Sequence, residues 1–119
     1  MRDFVKVIIA GGRDFNDYEL LKSKCDYYLR DISDDIEIVS GTAAGADTLG
    51  ERYAEEKGYP VKRFPADWKR YGRGAGYKRN AQMAAYADAL IAFYAGSSGT
   101  KHMIETATKK GLNVRIVKY

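Results

Sequence analysis

A chain of 119 residues, 45% hydrophobic and 30% charged, has the size of one domain, since single domains cluster at about 100–150 residues, and needs neither disulfide nor metal to fold. No apolar run approaches the ~20 residues of a membrane helix. The start Met-Arg-Asp-Phe runs straight into a strand without a signal peptide, so a cytoplasmic protein with no membrane partner is expected. The net charge of +4 suits an anionic partner without requiring a nucleic acid. One cysteine and one histidine exclude an internal disulfide and a zinc site of ordinary composition, and no cofactor is expected.

Phe4–Ala10 is a nearly continuous apolar run, typical of a strand buried on both faces of a parallel sheet. Apolar side chains then recur at 18, 21, 25, 28, 29 and 32, a helical stripe over 17–31. Asn16, with Glu19 three residues on, fits the start of that helix. Cys25 shares the stripe with Tyr18, Leu21, Tyr28 and Leu29 and reads as a core residue. Ile36–Val39 is a second strand, 46–57 a helix stopped at Gly58, and Pro60–Phe64 a short strand whose proline favours an edge. Residues 65–74 form the longest connection. Ala75–Ala87 reads as a helix, Ala89–Tyr94 as a strand, Gly99–Lys110 as a helix stopped by Gly111, and Asn113–Val117 as the last strand. The unbroken β-α alternation predicts one domain over 1–119, a three-layer α/β sandwich around a five-stranded parallel sheet. The expected strand order is 3-2-1-4-5, with the ligand crevice outside the carboxyl ends of strands 1 and 4.

Three glycine segments follow strands and precede helices, where backbone N–H groups and helix dipoles hold anions. In Gly96-Ser97-Ser98-Gly99-Thr100, glycines allow close approach to a phosphate and the hydroxyls add donors, although a glycine turn with a Ser/Thr cap has the same composition. Ser40-Gly41-Thr42-Ala43-Ala44-Gly45-Ala46-Asp47 repeats the pattern with a complication. A carboxylate in the first helical turn already answers the dipole and repels phosphate, so Asp47 is open to a ribose or to N–H groups of its own loop. Gly11-Gly12-Arg13-Asp14-Phe15 is neither a dinucleotide fingerprint nor a P-loop. Its Arg13 suits a bidentate phosphate contact, and Asp14 beside it suits holding the loop. Arg79 and Met83 are four apart on one helical face, with Asn80 next to Arg79. From Lys62 to Arg79, basic residues interleave with Phe64, Trp68, Tyr71 and Tyr77, a composition that fits a nucleobase or nucleic-acid surface as well as aromatics covering a sheet edge.

Taken with Pro65-Ala66-Asp67-Trp68, Gly72-Arg73 with Ala75-Gly76, Arg79-Asn80 with Met83, and Ser98-Gly99-Thr100, these segments resemble the small single-domain YspA-type, YpsA-related branch of the SLOG superfamily across residues 11–100. The resemblance implies a Rossmann-like fold and a pocket for a nucleotide or nucleotide-derived ligand such as ADP-ribose, NAD or a nucleoside monophosphate. More distant relatives are the cytokinin-activating phosphoribohydrolases and the DNA-processing protein that binds single strands. For the hydrolases, the matching catalytic arginine is Arg79 and the phosphate loop is Gly96–Thr100. Their catalytic glutamate, two or three residues after the Gly-Thr pair, is replaced by His102 and Met103 here, and Glu105 stands five residues after Thr100.

Three functions follow as expectations. The first is a sensor or sequestering domain for a nucleotide-derived small molecule. Its candidate residues are Gly11, Gly12, Arg13, Asp14, Ser40, Gly41, Thr42, Gly45, Asp47, Trp68, Arg79, Asn80, Gly96, Ser97, Ser98, Gly99 and Thr100. The second is an N-glycosidase on nucleoside monophosphates with Arg79 and Glu105 as catalytic candidates. The third is single-stranded nucleic-acid binding. The ten tyrosines also offer surface for a homodimer.

Overall fold

A computed structural model describes residues 4–119; the Met-Arg-Asp start lies outside the described residues. The elements are β1 (Phe4–Gly11), α1 (Tyr18–Leu29), β2 (Asp35–Ser40), α2 (Ala46–Lys57), β3 (Val61–Arg63), α3 (Trp68–Tyr71), a single 3₁₀ turn (Gly72–Gly74), α4 (Ala75–Tyr86), β4 (Ala89–Tyr94), α5 (Ser98–Lys109) and β5 (Asn113–Lys118). All four strand pairings are parallel and the order is β3-β2-β1-β4-β5, as the alternation predicts. β1 lies at the centre, with Val7 opposite Ile38 on one side and Ala89 on the other.

Alternation along β1 divides its side chains between two cores. Val7 and Ile9 pack with Leu21, Cys25 and Leu29 of α1 and with Tyr53 and Ala54 of α2. Ile8 and Ala10 pack on the opposite face with Met83 and Ala84 of α4 and Met103 and Ala107 of α5. Burying each large aliphatic side chain in this way contributes about 1.5–3 kcal/mol, so a strand whose one charged side chain, Lys6, stands near its start is the expected centre of the sandwich.

Three local features depart from the expectations. The α1 cap is Asp17, whose Oδ1 accepts from the Leu20 N–H at 3.0 Å, and not Asn16. A carboxylate there satisfies a free first-turn donor directly and also complements the helix dipole. The 65–74 connection is not a plain loop, because Asp67 caps the short helix α3 by accepting from the Arg70 N–H at 3.1 Å. β3 begins at Val61, after Pro60, whose carbonyl accepts from the Ile38 N–H at 2.9 Å.

Cys25 is fully buried on the inner face of α1, and burial pushes its thiol up to about 12. At neutral pH the folded protein is therefore expected to leave a chromogenic disulfide reagent unreacted, with one equivalent of thiol released in denaturant. Rapid labelling of the native protein would contradict this placement.

Candidate functional site

β1 and β4 are adjacent, but β1 leads through α1 and α2 to one side of the sheet while β4 leads through α5 to the other. Loops leaving in opposite directions cannot fill the space between them. A cleft of about 750 Å³ opens there, walled by the β1–α1 loop, the start of α2, the face of α4 and the β4–α5 turn, with Met83 and Met103 at its base.

The three glycine segments do different jobs around it. In the first, the Gly12 N–H donates to the Phe93 carbonyl at 3.2 Å, while the Gly12 carbonyl accepts from Phe15 and Ala46, each at 3.2 Å. Gly12 is thus a bracket joining β1, β4 and α2, and Arg13 and Asp14 project from it onto the cleft wall. In the second, the Ala43 N–H donates to Asp47 Oδ2 at 3.1 Å, so α2 supplies its own anion at its amino end. The Ser40 hydroxyl donates to Glu51 at 2.6 Å and accepts from the Thr42 N–H at 3.1 Å, and Arg63 closes onto Glu51 at 2.9 Å. Gly45 has φ +75° and its backbone lies so close to Arg13 that a Cβ would meet the Arg13 carbonyl carbon at 2.6 Å. Only glycine takes that conformation freely.

The third segment starts a helix whose first turn carries no acidic side chain. Ser97 caps α5 by accepting from the Thr100 N–H at 3.3 Å and donates its hydroxyl proton to Thr100 Oγ1 at 2.6 Å. The N–H groups of Ser98 and Gly99 then have no acceptor among the described residues, as expected of a helix's first turn. They sit on the cleft wall at the positive end of a 12-residue helix.

Arg79 reaches this cleft from α4. Its Nη1 donates to the Gly41 carbonyl and its Nε to Asn80 Oδ1 at 3.2 Å. Among the described residues no carboxylate comes within ion-pair distance of its half-buried guanidinium. Burial pulls the Arg79 pKa below the ordinary arginine value, Asp47 opposing that shift and Arg13 adding to it. A cation held this way, without a counter-charge in contact, favours an incoming anion. Asn80, buried, is fixed from both ends: its amide oxygen accepts from Arg79, and its Nδ2 donates to the Gly99 carbonyl at 3.2 Å and approaches His102 Nδ1 at 3.2 Å. It therefore braces the arginine against the β4–α5 turn.

The rim is aromatic. Trp68, 52% exposed, and Tyr77, 48% exposed, flank the opening beside Arg73. Tyr77 is stacked on His102 at 4.1 Å, and on the far side the Tyr119 hydroxyl donates to Asp14 Oδ1 at 2.9 Å.

The sequence profile of the family described as "YspA, cpYpsA-related SLOG family" matches residues 5–71, more than half of the chain. The chain belongs to this SLOG family. A curated relative, the Gene 61 protein of Mycobacterium phage D29, is 34% identical over 116 residues, covering 92% of this chain and 93% of its own length. Among solved structures, DNA processing protein A from Streptococcus pneumoniae superposes with a TM-score of 0.72 at 22% identity. That match covers 95% of this chain, which spans only half of the other, and it shows the Rossmann-like fold. The profile takes in the β1–α1 and β2–α2 loops and Trp68, while Arg79, Asn80 and the β4–α5 turn lie beyond it.

This SLOG-family chain brings together on one cleft wall Gly11, Arg13, Asp14, Asp47, Trp68, Arg79, Asn80, Gly96, Ser97, Ser98, Gly99 and Thr100. It does not bring Gly12, Ser40, Gly41, Thr42 or Gly45 to that wall; they hold the loops from behind. Glu105 also stays off the wall, exposed on α5, because five residues past Thr100 turn it away from Thr100 and Met103. Asp14 and Asp47 are the carboxylates that line the cleft. Arg73 and Tyr77, from the basic, aromatic stretch read in the sequence, also line the cleft, while Met103 and Tyr119 line it without having been expected there. For Tyr119 the signal was the parallel order itself, which delivers the end of β5 to the same edge, where its N–H donates to the Tyr94 carbonyl at 3.3 Å. No helix among the described residues is long and apolar enough to cross a membrane.

Burial raises the Asp47 carboxyl from 3.8 to about 6, against the lowering effects of the Ala43 N–H, Arg79 and Arg13. The folded state therefore keeps a proton that the unfolded chain has already released. The resulting stability is present below the ordinary carboxylate pKa and is lost as pH rises through about 6. Unfolding free energies measured along this window should fall by up to about 1.4 kcal/mol per pH unit from this group. In Asp47→Asn that component should vanish, and an unchanged slope would locate the proton elsewhere. Gly45→Ala should lower stability by more than about 1 kcal/mol, read from the denaturation midpoint, because its φ of +75° admits no relaxed alanine.

Proposed function

We propose that this protein binds a phosphate-bearing, nucleotide-derived small molecule in the cleft between β1 and β4, as a sensor or sequestering domain. The observation that carries this reading is that the start of α5, free of acidic side chains, and the half-buried guanidinium of Arg79, with no carboxylate in ion-pair contact among the described residues, line one cleft. Backbone donors at a helix start and a guanidinium are complementary to phosphate oxygens in both charge and direction. Arg13 on the facing loop adds a second cation, and the exposed faces of Trp68 and Tyr77 suit a base stacked at the rim. The volume, about 750 Å³, is within the range of small-molecule and cofactor sites.

The fold of DNA processing protein A and the basic, aromatic stretch around α3 keep nucleic acid in view. A compact cleft bordered by a helix start and a guanidinium nevertheless favours a small anion over a strand, which tracks along an extended groove. Hydrolysis would draw on Asp14 or Asp47, since Glu105 is off the wall.

Thermal melting with AMP, ADP-ribose, NAD, cyclic nucleotides and short single strands tests the reading, with products followed by chromatography. A ligand at about 100 times its Kd should stabilise the protein by about 2.7 kcal/mol and be recovered intact. Arg79→Ala should weaken the same ligand by at least about tenfold, the scale of a lost charge-assisted hydrogen bond. Release of free base would make the protein a glycosidase. Stabilisation by strands alone, decaying steeply with salt, would make it a nucleic-acid binder. No shift with any of them would leave the glycine segments as turns.

A further inference from the structure

Of the two carboxylates on the cleft wall, which a phosphate does not explain, Asp14 accepts from Tyr119 and Asp47 is the more deeply placed. It is only 6% exposed, yet it lines the cleft from the first turn of α2. One of its oxygens, Oδ2, accepts from the Ala43 N–H at 3.1 Å. The other, Oδ1, accepts no hydrogen bond from any described residue. It is not sealed in the interior either, since no buried side-chain oxygen among the described residues lacks a partner. It therefore opens on the cleft as an acceptor that a ligand's donor can reach.

The surroundings limit what that donor can be. Charged groups face Asp47 from every side: Arg79 from α4, Arg13 from the β1–α1 loop and Glu51 from its own helix. A Cβ on Gly41 would stand 2.8 Å from Arg79 Nη1 and 2.9 Å from Asp47 Oδ2, so the guanidinium and the carboxylate share one corner of the wall. An ammonium donor would be repelled by the two guanidiniums, and a second anion would be repelled by the carboxylate itself. A neutral hydroxyl satisfies both. The carboxyl, raised to about 6, is mostly ionised at neutral pH and so available as an acceptor.

We infer that Asp47 is the specificity-determining acceptor for a sugar hydroxyl, so that the occupant of the cleft is a ribonucleotide phosphate with a free ribose diol. This rests on the phosphate reading above and narrows it. The α5 turn, with Arg79, takes the phosphate, and Asp47 takes the ribose. The interior of a DNA strand offers no sugar hydroxyl and forgoes this contact.

The test compares AMP with 2′,3′-dideoxy-AMP, which keeps the base and phosphate and lacks both hydroxyls, by calorimetry at about pH 8. Wild-type protein should prefer AMP by about tenfold or more, the scale of a hydrogen bond to a charged group. In Asp47→Ala the preference should collapse to about one. Because each variant supplies its own ratio, a general loss of affinity does not imitate the result. If Asp47→Ala does not fold, Asp47→Asn must still reduce the preference, since its neutral oxygen is the weaker acceptor. A wild-type ratio near one would overturn the ribose assignment while leaving phosphate binding intact. A preference that survives in the variants would also overturn it. Failure of wild-type protein to bind either nucleotide would fell the phosphate reading beneath it.

Discussion

The arrangement of the cleft depends on the Arg79 guanidinium being held between two loops that have no other direct reason to be in register. Its Nη1 is committed to the Gly41 carbonyl of the β2–α2 loop and its Nε to Asn80, which in turn holds the Gly99 carbonyl at the start of α5. Two adjacent side chains on α4 thus tie one wall of the cleft to the other. A Cβ at Gly41 would stand 2.8 Å from Arg79 Nη1 and 2.9 Å from Asp47 Oδ2, so a side chain there would displace both groups from their present positions. Because these bonds use the inner donors of the fork, the arginine is pre-oriented before any ligand arrives, and little side-chain entropy remains to be lost on binding.

Three superficially alike glycine segments diverge once their hydrogen bonds are counted. The β1–α1 segment spends Gly12 on joining β1, β4 and α2. In the β2–α2 segment, Asp47 answers the amino end of α2. The β4–α5 segment caps itself with Ser97 yet leaves two N–H groups facing the cleft. Composition could not separate them, because glycine and serine supply both a tight turn and an anion cradle. What separates the two helix starts is charge: Asp47 stands in the first turn of α2, whereas the first turn of α5 carries no acidic side chain.

Secondary structure was largely legible because each element has a strong local cause. The run from Phe4 is apolar on both faces apart from Lys6, and the stripe at 18, 21, 25 and 29 has no strand periodicity. The misses fall where local chemistry offers equivalent choices, as with Asn16 and Asp17 as neighbouring caps, or where a short helix rests on one capping carboxylate, Asp67. Glu105 illustrates the limit at the site. It was weighed by its distance from the Gly-Thr pair, but the helical angle decides reach, and that angle takes it off the wall.

By itself, the sequence determined the alternation of strands and helices, hence the parallel sheet, the crevice between β1 and β4 and the set of loops that border it. These follow from periodicity and crossover handedness, which are local or nearly so. Only the tertiary structure decided that Arg79 is unpaired, that Asn80 is a brace, that Tyr119 closes on Asp14 and that one oxygen of Asp47 is left without a donor. The longest of these contacts join Arg79 to Gly41 across 38 residues and Tyr119 to Asp14 across 105. A linear pattern records which groups exist, while the satisfaction of each group is settled only when distant segments are packed together.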